Sequence, residues 1–184
     1  MATIKAVFVT GPGTTEVRDI PRPVPGPADV LIQVKACGIC GSDGFYISIG
    51  GIPPRQGETP LGHEIAGEVV EVGALVTGLV VGDHVVVNPM AAPSGIIGNG
   101  GATGGLAEYL LIESAEVGRS LQVIPAHIPF EIAALNEPMA VARHAVNRVA
   151  PTPADRVVIF GAGPIGLGAL IDVTLRGVAS VVVV

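Results

Sequence analysis

Apolar residues along this chain come in short runs cut apart by Gly and Pro, and the rhythm of those runs changes once, near residue 150. Residues 5–9 alternate loosely and predict a first strand. Residues 30–34 are apolar at nearly every position and predict a central strand. Residues 63–72, 84–87, 106–112 and 122–124 predict further strands, with turns around Gly73, Gly78 and Gly82. Residues 19–27 hold four prolines, which remove ladder donors, so they predict an ordered loop or polyproline-like arm. Residues 37–44 read as a Gly-rich turn. Residues 45–60, with Gly50-Gly51 and Pro53-Pro54, read as a loop. Residues 88–105 are rich in Gly, Ala and Pro and predict a flexible surface loop. Short strands at this spacing favour a barrel or sandwich.

Beyond Pro129 the period lengthens. Residues 132–135 and 139–149 predict two short helices broken near Pro138, and residues 151–155 a turn. A buried strand at 157–160, a helix at 164–176 and a strand at 181–184 make one strand–helix–strand unit. The expected domains are therefore 1–150 and 151–184.

Composition narrows the class. Of 184 residues 49% are hydrophobic, but only 3% are aromatic and none is Trp, so Val, Ile, Leu and Ala supply the core. The net charge of -6, with only two Lys, leaves no basic face for nucleic acid. No run of 18 uncharged apolar residues and no basic-led signal segment occurs, so the expectation is a soluble cytoplasmic protein, away from membranes, with both cysteines reduced.

The candidate chemistry begins with Cys37-Gly38-Ile39-Cys40. A closed four-ligand zinc knuckle needs a second such pair, and there are only two Cys and four His: His63, His84, His127 and His144. An open site with mixed ligands remains. His63 and Glu64 are adjacent, and consecutive strand residues point to opposite faces. Either a turn at Gly62 brings both to one metal, or Glu64 acts from outside the coordination sphere. Glu137 precedes Pro138 at a helix start, where carboxylates are favoured. Each residue alone also reads blandly: Cys40 as a small buried hydrophobe, His63 as an ordinary histidine, Glu137 as a helix cap.

Gly161-Ala162-Gly163-Pro164-Ile165-Gly166 follows a strand and opens a helix, the context in which this glycine spacing points to a dinucleotide. Gly161 permits the tight turn, Gly163 lets backbone approach a pyrophosphate, and Gly166 allows close helix–strand packing. The acidic residue expected about 20 positions on is missing, since nothing acidic follows Asp172. The chain is therefore expected to be part of a longer protein.

Together, residues 38–43 (GICGSD), 62–73 (GHEIAGEVVEVG), 82–85 (GDHV), 105–109 (GLAEY), 137–141 (EPMAV) and 161–166 (GAGPIG) resemble the medium-chain, zinc-dependent alcohol dehydrogenase family. The Glu137-Pro138 pair is closest in pattern to its polyol, threonine and butanediol dehydrogenase branch. The resemblance implies a mainly β, GroES-like barrel domain followed by the first βαβ unit of a Rossmann domain. It implies one catalytic zinc held by Cys40, His63 and Glu137, with Glu64 beside the metal and able to enter its shell. Cys37 is then not a ligand. Asp43 would orient His63, and Ser42 would take the substrate proton, because Phe45 stands where the family often has a relay histidine. The catalytic set is thus Cys40, Ser42, Asp43, His63 and Glu64. Gly161, Gly163, Pro164, Ile165 and Gly166 would bind NAD or NADP. The implied reaction moves a hydride between a secondary alcohol or polyol and the nicotinamide, in a full-length protein that is a homo-oligomer with a small-molecule alcohol or ketone substrate. Residues 88–105 lack the cysteines of a structural zinc lobe. The alternatives are a zinc-free quinone-type reductase and a GroES-like binding or structural module with a vestigial metal site.

Overall fold

The first alternating run folds as β1 (Thr3–Gly11), which turns through Gly13 and returns as β2 (Thr14–Pro21), antiparallel, with Val7 opposite Val17. These belong to a computed structural model that describes every residue except 1, 53, 54 and 57. Asp19 and Ile20, expected in a proline arm, are strand residues. Pro21 ends an edge strand, where a missing N–H costs no ladder bond.

The apolar run at 30–34 lies in β3 (Val30–Gly38). A helix, α1 (Gly41–Ile49), then begins where a Gly-rich turn was expected, and it closes on Gly50 in the left-handed region (φ 81°). Short strands β4 (Gly51–Ile52), β5 (Arg55–Gln56) and β6 (Thr59–Pro60) occupy the expected loop. The Pro53-Pro54 pair lies outside the described residues. Then come β7 (Glu64–Val72), β8 (His84–Val87), β9 (Tyr109–Ile112) and β10 (Leu121–Val123).

Five of these strands form one sheet in the order β10-β8-β7-β3-β9; β2-β1-β6 form a second. Alternation sends Val30, Ile32, Ile65, Val69, Val85, Val87, Leu110 and Ile112 into one core. On the other face Ala66 and Val86 pack against Ala133 and Ala134, in and just beyond α2 (Phe130–Ala133). Cover on both faces explains why β3 starts as an unbroken apolar run.

The expected barrel is not formed. The larger sheet ends at β9 on one side and β10 on the other, and among the described residues no ladder joins these edges. Closure requires continuous pairing around the ring, whereas these strands are only four and three residues long. Among the described residues the smaller sheet meets the segment leading into β9 through an isolated bridge, Ala6 to Ala107, flanked by the bonds Val7 N to Leu106 O and Glu108 N to Lys5 O.

Residues 88–105 are also not a free surface loop. After a turn of 3-10 helix at Pro89–Ala91, Ile97 enters the main core, 2% exposed.

A second compact unit runs from Leu135 to Val184. Its α3 (Asn136–Val149) is continuous through Pro138, contrary to the expected break. Pro138 is the third helical residue, and a first-turn residue has no intrahelical N–H bond to lose. Then β11 (Arg156–Ile159), α4 (Pro164–Leu175) and β12 (Ser180–Val183) form the expected parallel crossover, with Val157 beside Val181. This is a Rossmann-like α/β unit. Gly168 of α4 permits close approach to α3, since a Cβ there would lie 2.8 Å from that of Ala142. Among the described residues no helix is long and apolar enough to cross a membrane.

Candidate metal centre

The site starts from how α1 begins. Cys40 is its N-cap residue, and Asp43, three positions on, turns its carboxylate back so that Oδ2 accepts the Cys40 backbone N–H at 2.9 Å. This reciprocal geometry fixes the first turn. It leaves the Cys40 thiol at a helix N-terminus, where a negative ligand is favoured. Ser42 is the second residue of the helix.

His63 and Glu64 arrive from the other side. Gly62 has a φ of 92°, so the chain turns sharply just before β7 and His63 lies outside the strand. The alternation that would have sent the two side chains to opposite faces has not begun. Gly62 also cannot carry a side chain, because a Cβ would sit 2.6 Å from the Leu106 nitrogen and 2.8 Å from the Cys37 sulfur. Glu64 pairs with Gly38 across the sheet, and its carboxylate lies over that glycine, where a Cβ would come within 1.9 Å of Oε2.

The result is a group of three, Cys40, His63 and Glu64, each with a ligand atom within 4.8 Å of the others. His63 and Glu64 are buried, and Cys40 is half-buried. A thiol, an imidazole and a carboxylate are the donors a divalent zinc or similar ion takes. A second observation supports the fit. His63 Nδ1 and Asp43 Oδ1 are buried without hydrogen-bond partners and lie 3.7 Å apart. A metal on Nε2 would leave the proton on Nδ1, and that proton is the donor Asp43 Oδ1 lacks.

Cys37 is differently placed. It is the penultimate residue of β3, opposite Ile65, packs on the main core and is outside the group. Burial, with smaller additions from the Asp43 and Glu64 charges, pushes its thiol up to about 12, partly offset by the Glu64 backbone N–H. Glu137 stands in the first turn of α3, in the second unit; the three-residue group is complete within the first. Phe45 is on α1 and 59% exposed.

The glycine turn of the second unit has the form its sequence predicts. Gly161 takes a φ of 100°. At Gly166 a Cβ would strike Gly161 O at 1.9 Å and lie 3.5 Å from the Ile159 side chain, so the start of α4 packs closely on the turn and the end of β11. In front of Gly163, the N-cap of α4, there is open space, and Pro164 and Ile165 open the helix exposed. Such a cradle fits a diphosphate at a helix N-terminus.

Sequence reasoning missed Gly38 as the seat of the Glu64 carboxylate. Its only signal was a glycine at the end of an otherwise good strand, which marks close approach. It also missed the contact of residues 98–105 with the Gly62 turn.

Comparison with known proteins gives a consistent picture. Residues 26–122 match the family described as the alcohol dehydrogenase GroES-like domain. Sorbitol dehydrogenase of Bos taurus is 35% identical over 203 residues, covering 97% of this chain and 54% of that protein. The (R,R)-butanediol dehydrogenase of Bacillus subtilis is 38% identical over 174 residues, covering 82% and 49%. The crystal structure of 2R,3R-butanediol dehydrogenase from Bacillus subtilis matches with a TM-score of 0.85 at 32% identity, over 98% of this chain and 57% of that one. Acetophenone reductase from Geotrichum candidum, solved with NAD, matches with a TM-score of 0.83 at 25% identity, over 98% and 57%. The chain spans about half the length of the curated relatives it matches. With just over half of its residues inside the one domain family, and relatives aligned along most of its length, the chain belongs to the medium-chain, zinc-type alcohol and polyol dehydrogenases, in their sorbitol and butanediol dehydrogenase branch.

Proposed function

We propose that this chain carries the metal centre and the start of the cofactor domain of a cytoplasmic, zinc-dependent dehydrogenase that interconverts secondary alcohols or polyols and ketones with NAD or NADP. The observation that carries the reading is the convergence of Cys40, His63 and Glu64 within 4.8 Å beside the Asp43–His63 pair. Relatives named for sorbitol, butanediol and galactonate chemistry support the substrate class.

Cys40, His63 and Glu64 would hold the ion. When bound, the metal supplies Lewis acidity toward the alcohol oxygen, and the nicotinamide takes up the hydride. The chain's own residues set the conditions. Asp43 Oδ1, 3.7 Å from His63 Nδ1, would accept the Nδ1 proton and so favour the tautomer that leaves Nε2 free, and Oδ2 fixes Cys40 through the backbone. Ser42, one residue before Asp43, offers a hydroxyl to take and pass on the substrate proton, which the ring of Phe45 cannot do. Gly161, Gly163 and Gly166 shape the turn whose open N–H groups receive the cofactor diphosphate.

Metal analysis of the purified chain tests this. About one zinc per chain is expected, following the single mixed-ligand site. Cys40→Ser should abolish it and Cys37→Ser should keep it. Zinc lost through Cys37 instead, or no zinc in the parent, would sink the reading.

A further inference from the structure

The Gly-rich stretch at residues 95–105 touches both arms that bring the metal donors together. Its glycines lie against the turn that delivers His63. A Cβ on Gly98 would fall 2.0 Å from Gly62 O, one on Gly104 2.2 Å from Leu61 O, and one on Gly105 2.3 Å from the Ile65 side chain. Two backbone bonds lock this contact: Gly105 N to Gly62 O at 2.7 Å and Leu106 N to Leu61 O at 2.9 Å. Between these glycines Asn99 reaches the other arm. Its Oδ1 accepts the Tyr46 hydroxyl at 2.6 Å, and Tyr46 is on α1, the helix whose first turn carries Cys40 and Asp43. The stretch is itself anchored, since Ile97 is in the main core and its N–H bonds Pro89 O at 3.0 Å.

We propose that residues 95–105 are a brace that sets the spacing between the Cys40 arm and the His63–Glu64 arm, with Asn99 and Tyr46 as positioning residues that touch neither metal nor substrate. Small residues are required because backbone must meet backbone. A side chain at Gly98 would push the Gly62 turn, and His63 with it. The Asn99–Tyr46 bond then ties α1 to a segment already seated on that turn. The bond adds to the hold that the Gly13 N–H, donated to Ile47 O at 2.7 Å, already gives the far end of α1. The metal consequence rests on the zinc reading above; the mechanical one does not.

The test uses the 184-residue chain with Tyr46→Phe, Asn99→Ala and Asn99→Asp. Zn²⁺ alone is titrated against a competing chelator, and amide hydrogen exchange is measured on the metal-free chains. Tyr46→Phe and Asn99→Ala should each weaken Zn²⁺ about tenfold, the loss typical of removing a partner that orients ligands. The double variant should be no worse than either, and Asn99→Asp, which keeps the acceptor, should bind as the parent does. Exchange should quicken together at residues 40–43 and 62–64. Unchanged affinity in both single variants overturns the proposal. So does an equal loss in Ile112→Ala, a core change outside residues 95–105, because the effect would then be general destabilisation. If the parent binds no Zn²⁺, the metal reading fails by itself, and the exchange data decide the brace: quickened exchange supports it and unchanged exchange overturns it.

Discussion

Two cysteines three positions apart do different work here because β3 ends between them. Cys37 is its penultimate residue and faces the core, whereas Cys40 caps the next helix and faces the donor group. The spacing in the sequence does not show this division; the point at which pairing with β7 stops does. At pH 8 the Cys37 thiol, pushed up to about 12 mainly by burial, stays protonated. Iodoacetamide should therefore alkylate Cys40 in the metal-free chain and reach Cys37 only after unfolding, as peptide mass spectrometry would show. A raised folded-state value favours folding below the ordinary thiol value near 9. That contribution is lost as pH climbs from 9 toward 12, so alkaline unfolding should come later in Cys37→Ala, after allowance for the lost packing. Asp43 permits a second separation. Asp43→Asn keeps an oxygen for the Cys40 N–H but can offer His63 an amide N–H in place of an acceptor. Zinc affinity should fall about tenfold or more, with thermal stability little changed. Asp43→Ala should lose about 1 kcal/mol as well, the usual worth of a cap. Equal zinc binding in Asp43→Asn and the parent would refute the orienting role.

The strands were legible because their apolar residues repeat with the pleat and Gly marks their ends: 84–87 and 157–160 were placed to within a residue. Helix α1 was not, since Gly41 and Gly44 lower helix propensity and its first turn is polar. What forms it is the local cap from Asp43 and the left-handed Gly50, neither of which leaves an apolar repeat to read. Cys40, His63 and Glu64 could be picked out as candidate donors by residue type, and Gly62 as the turn that reconciles His63 with Glu64. Their seats were not, because Gly38 matters only once the β3–β7 register puts Glu64 over it. The same substitution at two glycines should therefore have opposite signs. Gly38→Ala must drive the Glu64 carboxylate aside, and it should cost zinc affinity by tenfold or more. Gly44→Ala is in an exposed helix interior with nothing within 4 Å of the new methyl. It should stabilise the chain by about 0.5–1 kcal/mol. Paired zinc titrations and thermal melts check both, and a Gly38→Ala chain that binds zinc normally would remove Glu64 from the ligand set.

At the scale of the whole chain, the two units differ in how well their sheets are covered. The first buries its large sheet on both faces and closes its donor group within itself. The second is a two-stranded parallel sheet with one crossover helix. Parallel sheets normally have both faces covered, yet Val158 is 54%, Val182 55% and Phe160 84% exposed. Its glycine turn offers N–H groups to a diphosphate. The last acidic residue, Asp172, is buried in α4 and bound to Arg176 at 2.8 Å. A glycine turn grips a cofactor by its phosphates, far from the nicotinamide, and misplacement of the reacting ring by 1 Å already costs on the order of a hundredfold in rate. The 184-residue chain should therefore take up zinc while reducing ketones with NADH negligibly. It should also bind an apolar dye such as ANS through the second unit. Val158→Thr with Val182→Thr should lower that dye signal and leave zinc binding unchanged. Brisk, zinc-dependent turnover by this chain would mean that one crossover suffices to position the nicotinamide.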